Sequence, residues 1–212
     1  MEIYNNEEQQ VEAIKRFWKQ NGTSILAGIA IGLAGLYGFR YYQANQLTQI
    51  EAQSSQYANL IEQNTAEGAD KKAWLVAAQT FIEANGGSHY AVLTAFLAAK
   101  EAVFAKDFTV AEKQLNWVLA NTKAPELLAV ASLRLARVQV EQANYPAALK
   151  TLETKLPESF VAQQQELKGD VLLKSGDEVK AKAAYQAALA AAEAGKNPLL
   201  QVKLNELAHV AG

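Results

Sequence analysis

The sequence contains no cysteine, only two histidines and only four prolines in 212 residues, and residues 21 to 39 contain no charged side chain. Without cysteine there is no disulfide framework and no thiolate chemistry. With only His89 and His209, neither a zinc site nor a histidine-based triad has its parts. The two histidines are expected in solvent or packing roles, at a helix start and near the tail. No Gly-rich phosphate loop follows a strand, and carboxylate pairs such as Asp170 with Asp177 or Glu51 with Glu62 read as solvated helix faces. No catalytic residue, metal or cofactor is expected, and the chain is not read as an enzyme. From residue 43 onward sixteen Lys and Arg face eighteen Asp and Glu, a balance that argues against a nucleic-acid partner.

The uncharged stretch is the exception to an otherwise mixed chain. "GTSILAGIAIGLAGLYGFRYYQ", residues 22 to 43, would form a helix about 30 Å long, the thickness of one bilayer core. Ile25, Leu26, Ile29, Ile31, Leu33, Leu36 and Phe39 each favour insertion, and no central charge opposes them. Phe17 and Trp18 before the run, and Tyr37, Tyr41 and Tyr42 after it, place amphipathic rings at headgroup depth. A cleavable signal would have a shorter apolar region and small residues near its end. The bulky run from Tyr37 to Tyr42 does not fit that pattern.

Lys15, Arg16 and Lys19 precede the apolar run, whereas only Arg40 follows it closely, so the N-terminus is expected to stay in the cytoplasm. The expected organisation is a cytoplasmic segment at 1–20, a transmembrane anchor at 21–42 and a domain at 43–212 across the membrane, which is the periplasm in a Gram-negative host. Val11, Ile14 and Phe17 or Trp18 share a helix face beside the basic cluster, which can rest on membrane lipid. Gly28 and Gly32 form a GxxxG spacing with Gly35 near the same face, a pattern that lets a partner helix approach in the membrane.

After the anchor the chain is rich in alanine and poor in β-branched runs, with apolar residues recurring at three and four positions. The reading is all-α. Small and large residues repeat as Ala77, Phe81, Ala84; Ala111, Leu115, Val118; Ala148, Leu152, Lys155; and Ala181, Tyr185, Ala188. The steps are 34, 37 and 33 residues. In "GDVLLKSGDEVKAKAAYQAAL", residues 169 to 189, Gly169 permits close helix approach, Ser175 to Asp177 turn the chain, and Ala181, Tyr185 and Ala188 form the return face. This resembles the tetratricopeptide repeat, a helical hairpin that stacks into an α-solenoid. Lys106 with Asp107 and Ala143 with Asn144 mark equivalent turns. Lys155 departs from the pattern, where a small residue belongs. Leu199, Leu200, Val202, Leu204, Leu207 and Val210 suit a C-terminal capping helix.

First helices of such repeats line a concave surface, which makes Phe96, Lys100, Phe104, Arg137, Glu141, Glu166, Asp170 and Leu173 the candidate partner-binding residues. Trp74 and Trp117 are further aromatic candidates.

"VEAIKRFW", the Gly-rich anchor ending "GFRYYQ", then "SLRLARVQ", "AALKTLE" and "LKGDVLLKSGD" together resemble the YfgM-like family of ancillary SecYEG translocon subunits in Gram-negative inner membranes, over essentially the whole chain. The resemblance implies a single-pass protein, cytoplasmic at its N-terminus, with a tetratricopeptide-like periplasmic domain. It also implies association with SecYEG and with the periplasmic chaperone PpiD, linking translocation to chaperoning; the concave surface is expected to bind a chaperone or an emerging secreted chain. It carries no active-site motif. The expected function is a membrane-anchored scaffold at the translocon; the alternative is an adaptor of another envelope complex, such as cell division or cell-wall assembly.

Overall fold

The computed structural model describes residues 3–192 and 197–209, so Val210 of the expected cap lies outside the described residues. Among these the regular elements are all α-helices: α1 Ile3–Thr65, α2 Lys71–Ala84, α3 His89–Phe104, α4 Phe108–Asn121, α5 Pro125–Glu141, α6 Tyr145–Thr151, α7 Glu158–Lys174, α8 Glu178–Ala191 and α9 Pro198–Glu206. Two compact units divide after Ser55.

In the first unit, α1 carries the apolar run with its side chains outward: Leu26, Ile29, Ile31, Leu33, Leu36 and Phe39 are all exposed. Among the described residues α1 is the one helix long and apolar enough, by length and composition, to cross a membrane. Glycine in a helix interior costs about 1 kcal/mol in water relative to alanine. The helix is nevertheless unbroken through Gly28, Gly32, Gly35 and Gly38, where an added Cβ would meet no neighbour within 4 Å. Glycine is more frequent in membrane helices than in soluble ones. The expected anchor end at Tyr42 falls inside this continuous helix.

Three hairpins of the second unit, α3–α4, α5–α6 and α7–α8, share one turn geometry. Each first helix ends in a residue with positive φ, followed by Asp or Asn: Lys106 (φ 59), Ala143 (φ 57) and Gly176 (φ 90), before Asp107, Asn144 and Asp177. The N–H groups of Lys106 and Asp107 donate to the carbonyls of Val103 and Ala102, those of Ala143 and Asn144 to Val140 and Gln139, and those of Gly176 and Asp177 to Leu173 and Leu172. This is a Schellman ending, which satisfies carbonyls a helix terminus leaves free. The following acid or amide caps the return helix, its side-chain oxygen accepting from Val110, Ala147 and Lys180 backbone N–H groups respectively. Only Gly176 adopts its φ without a Cβ penalty. Pro125, Pro146 and Pro198 stand in first helical turns and Pro157 at an N-cap, where a missing N–H costs no helical bond.

From α2 to α9 sequential helices pack on one another, and α5 also touches α7, the neighbour relation of a solenoid. Ile82, Val92, Phe96, Leu115, Val118, Leu135 and Val138 form one buried cluster; Leu133, Leu152, Leu156, Leu167 and Val171 the next; Leu172, Tyr185, Leu200 and Leu207 the last. At Gly169 two helices meet closely: a Cβ there would lie 2.4 Å from the Tyr185 ring. The capping helix α9 buries Leu200 and Leu207 against Tyr185, while Leu199 and Val202 face outward.

Two details of the repeat pattern are corrected. In the first return helix the fully buried pair is Ala78 and Ile82, 33 residues before Ala111 and Leu115; Ala77 is only partly covered and Ala84 is exposed. Phe81 is also buried, but against Leu60 and Trp74 at the start of the unit, so a helix covered on two sides has apolar residues in both registers. In the third unit the return helix stops at Thr151, and Lys155 is exposed in an irregular segment. The Gln164 side chain donates to the carbonyls of Leu152 (2.8 Å) and Thr154 (2.7 Å), replacing bonds the helix no longer makes. Leu156 fills the core in place of the missing turn.

Candidate functional site

Residues four apart on a helix share a face. On α3 this aligns Phe96, Lys100 and Phe104; on α5 the three- and four-residue steps align Arg134, Arg137 and Glu141. With Phe108 and Leu115 of α4 beneath them, these two faces bound a cleft of about 270 Å³. Its floor is apolar: Phe96 is only 8% exposed and Leu115 only 1%. Its rim is cationic and aromatic. The Arg134 guanidinium lies 5.0 Å from the centre of the Phe96 ring, and the Lys100 ammonium 5.5 Å from that of Phe104. Phe104 itself is 72% exposed.

A second cleft, about 340 Å³, adjoins it and shares Arg137 and Glu141; Leu167, Asp170, Leu173 and Tyr185 complete most of its wall. Seven of the eight residues expected on the concave surface therefore line one or the other cleft. Glu166 lines neither; its carboxylate is held by Lys203 at 2.9 Å and by the Asn197 amide at 3.0 Å. Asp170 has a double position. It borders the second cleft yet accepts the Tyr185 hydroxyl at 2.8 Å and the Lys203 ammonium at 2.7 Å.

These contacts tie the cap to the last hairpin and shift its titrations. Burial, then the hydrogen bond to Asp170 and the surrounding carboxylate charge, hold the Tyr185 hydroxyl well above its ordinary range. For Lys203 burial acts to lower the pKa, but hydrogen bonds to Asp170 and Glu166 and their charges outweigh it, and the net direction is upward. Asp177 is lowered chiefly by its hydrogen bond to the Lys180 ammonium.

Other candidates are placed elsewhere. Trp74 is 3% exposed and donates its indole N–H to the Leu60 carbonyl at 2.7 Å, so it is core. Trp117 is half-buried near Gly86. His89 is exposed at the start of α3, and His209, also exposed, lies 3.3 Å from Glu178. Among the described residues no group of three or more His, Asp or Glu is arranged to hold a metal ion. Sequence reasoning missed Arg134 and Phe108 at the first cleft, although Arg134 stands three residues before Arg137 in "SLRLARVQ". It also missed Lys203, which sits 33 residues beyond Asp170 and has no local pattern linking the two.

Stacked hairpins, a capping helix and an open cleft, in a chain that also carries one candidate membrane span, define a tetratricopeptide-like interaction protein. The tetratricopeptide repeat-like domain family matches residues 15–209. Curated relatives with the name "Ancillary SecYEG translocon subunit" align over nearly the whole chain. The one from Escherichia coli is 36% identical, covering 98% of this chain and 99% of its own. That from Haemophilus influenzae is 34% identical (95% and 97%), and that from Neisseria gonorrhoeae 31% identical (98% and 100%). The chain belongs to the family of ancillary SecYEG translocon subunits. A solved P58(IPK) TPR domain aligns with 65% of this chain and 41% of its own at 12% identity, with a TM-score of 0.42, too loose a likeness to add to the assignment.

Proposed function

We propose that this protein is a non-enzymatic scaffold held at the Sec translocon by α1, with residues 21–42 as its membrane anchor, its N-terminus in the cytoplasm and its helical domain in the periplasm. The domain links SecYEG to a periplasmic chaperone such as PpiD and assists the handover of emerging secreted chains. Family membership over the full length supports the translocon association, and the Lys15, Arg16 and Lys19 cluster supports the orientation. The observation that carries the binding role is the cleft between α3 and α5, which opens beside exposed Phe104 and a cationic rim above an apolar floor. A tethered domain faces a high local concentration of partners, so modest affinity at the cleft suffices. In the membrane, the Gly28, Gly32 and Gly35 face is the proposed contact with a partner helix.

Affinity purification from membranes in mild detergent tests the translocon reading. SecYEG subunits are expected to co-purify, and Gly32→Leu is expected to reduce their yield while the helical signal of the domain is unchanged. Recovery of division or wall-synthesis proteins without SecYEG would overturn the assignment.

A further inference from the structure

We infer that the occupant of the α3–α5 cleft is an acidic segment of a protein partner bearing a large apolar side chain. The inference deepens the scaffold reading, on which it rests for the cleft being a binding site at all. Three cations, Lys100, Arg134 and Arg137, border the cleft, and among the described residues none of them makes an ion pair. The one carboxylate at the rim, Glu141, lies 3.9 Å from Lys174 and is partly neutralised. The chain as a whole carries a net charge of −2, so this local excess of positive charge is not a reflection of its average composition.

The chemistry of the site then follows from its parts. Arg134 is drawn over the Phe96 ring, which keeps its charged end beside the apolar floor, and Lys100 over the Phe104 ring at the rim. A carboxylate arriving there makes charge-assisted hydrogen bonds at the edge of a poorly solvated surface, where they are stronger than in open water. Between the cations, about 270 Å³ of space lined by Phe96, Val103, Phe108 and Leu115 offers room for a large side chain or two, and is small for a drug-sized ligand. The adjoining cleft beyond Arg137 lets a polypeptide continue along the surface, whereas a small anion would have no use for it. Charge complementarity selects an acidic segment over a generic apolar one.

The test uses the full-length chain in lipid nanodiscs, with empty nanodiscs as blank, and three labelled peptides of one length followed by fluorescence anisotropy. The first alternates Asp with Leu around a central Phe; the second replaces Asp by Lys; the third keeps Asp and replaces Leu and Phe by Ser. The first is expected to bind at least tenfold more tightly than either other, and to weaken as salt rises to about 0.5 M. Combined Arg134→Glu and Arg137→Glu is expected to abolish that preference with the circular dichroism unchanged, and Phe104→Ser to weaken the first peptide while leaving the third unchanged. Equal binding of acidic and basic peptides, or acidic binding that survives the charge reversal, would overturn the inference. If Arg137 crosslinks to chaperones in cells and the acidic preference is absent, the inference falls and the scaffold reading stands. If the preference is found and Arg137 crosslinks to no chaperone or secreted chain, the inference holds for the site and the scaffold reading falls.

Discussion

The inner row of first helices is finished at one end and open at the other. Around α7 the polar groups are answered from within: Lys203 reaches back from α9 to Glu166 and Asp170, Tyr185 gives its hydroxyl to Asp170, and Leu200 and Leu207 cover the apolar surface. Between α3 and α5 Lys100, Arg134 and Arg137 make no ion pair among the described residues, and Phe104 at the rim is exposed. A solenoid must cap its last repeat to stay soluble, since each hairpin otherwise exposes the face its neighbour would bury. The same exposure left unfilled between two first helices is a place for another molecule. The difference separates residues that hold the domain together from residues available to a partner.

Substitutions at the finished end should therefore cost stability, and substitutions at the open cleft should cost binding. The largest effect is expected from Gly169→Val, which drives a side chain into the Tyr185 ring: about 3 kcal/mol of unfolding free energy should be lost, read by chemical denaturation. Gln164→Leu should follow at about 2 kcal/mol, since it strands the Leu152 and Thr154 carbonyls at the shortened end of α6. Lys203→Met should cost about 1 kcal/mol, a figure kept low because its carboxylate partners retain access to water. Arg137→Glu should change stability by less than about 0.5 kcal/mol, because the side chain is exposed and makes no ion pair among the described residues, yet it should sharply lower partner capture.

Alkaline titration sharpens the same contrast. Tyr185 and Lys203 both have folded-state pKa values raised above their ordinary ones of about 10 and 10.5. The folded state holds these protons more tightly than the unfolded chain does, so their contribution is complete below about pH 10 and is lost as pH climbs through the raised values. Thermal unfolding should shift to lower temperature above that pH, and Tyr185→Phe combined with Lys203→Met should flatten the dependence. Persistence of the full alkaline slope in the double variant would assign it to other groups.

Much of this fold was legible because its signals are local. The pairs Lys106 with Asp107, Ala143 with Asn144 and Gly176 with Asp177 mark three turns from two residues each, and Gly169 with Tyr185 announces a close approach through size alone. Where the reading slipped, distant parts decided the outcome. Lys155 looked like one poor member of a helix face, but Gln164, nine residues later, supplies the bonds that let α6 end early. Ala77 and Ala78 are equally small, and only the placement of Trp74, Phe81 and Ile82 between two clusters selects Ala78. The cleft was visible as a helix face carrying Phe96, Lys100 and Phe104. Its boundary was not, because Lys203 of α9 and Asn197 at its N-cap, more than thirty residues away, hold Glu166, and Lys203 with Tyr185 of α8 engages Asp170.

The central claim, that the open cleft and not the finished end meets partners, is tested most directly by in-cell photo-crosslinking from unnatural amino acids at Arg137 and, as the contrast, at the exposed Val179 of α8. The account predicts adducts with a periplasmic chaperone or secreted chains from Arg137 and few from Val179. Equal adducts from both positions, or adducts from Val179 alone, would contradict it.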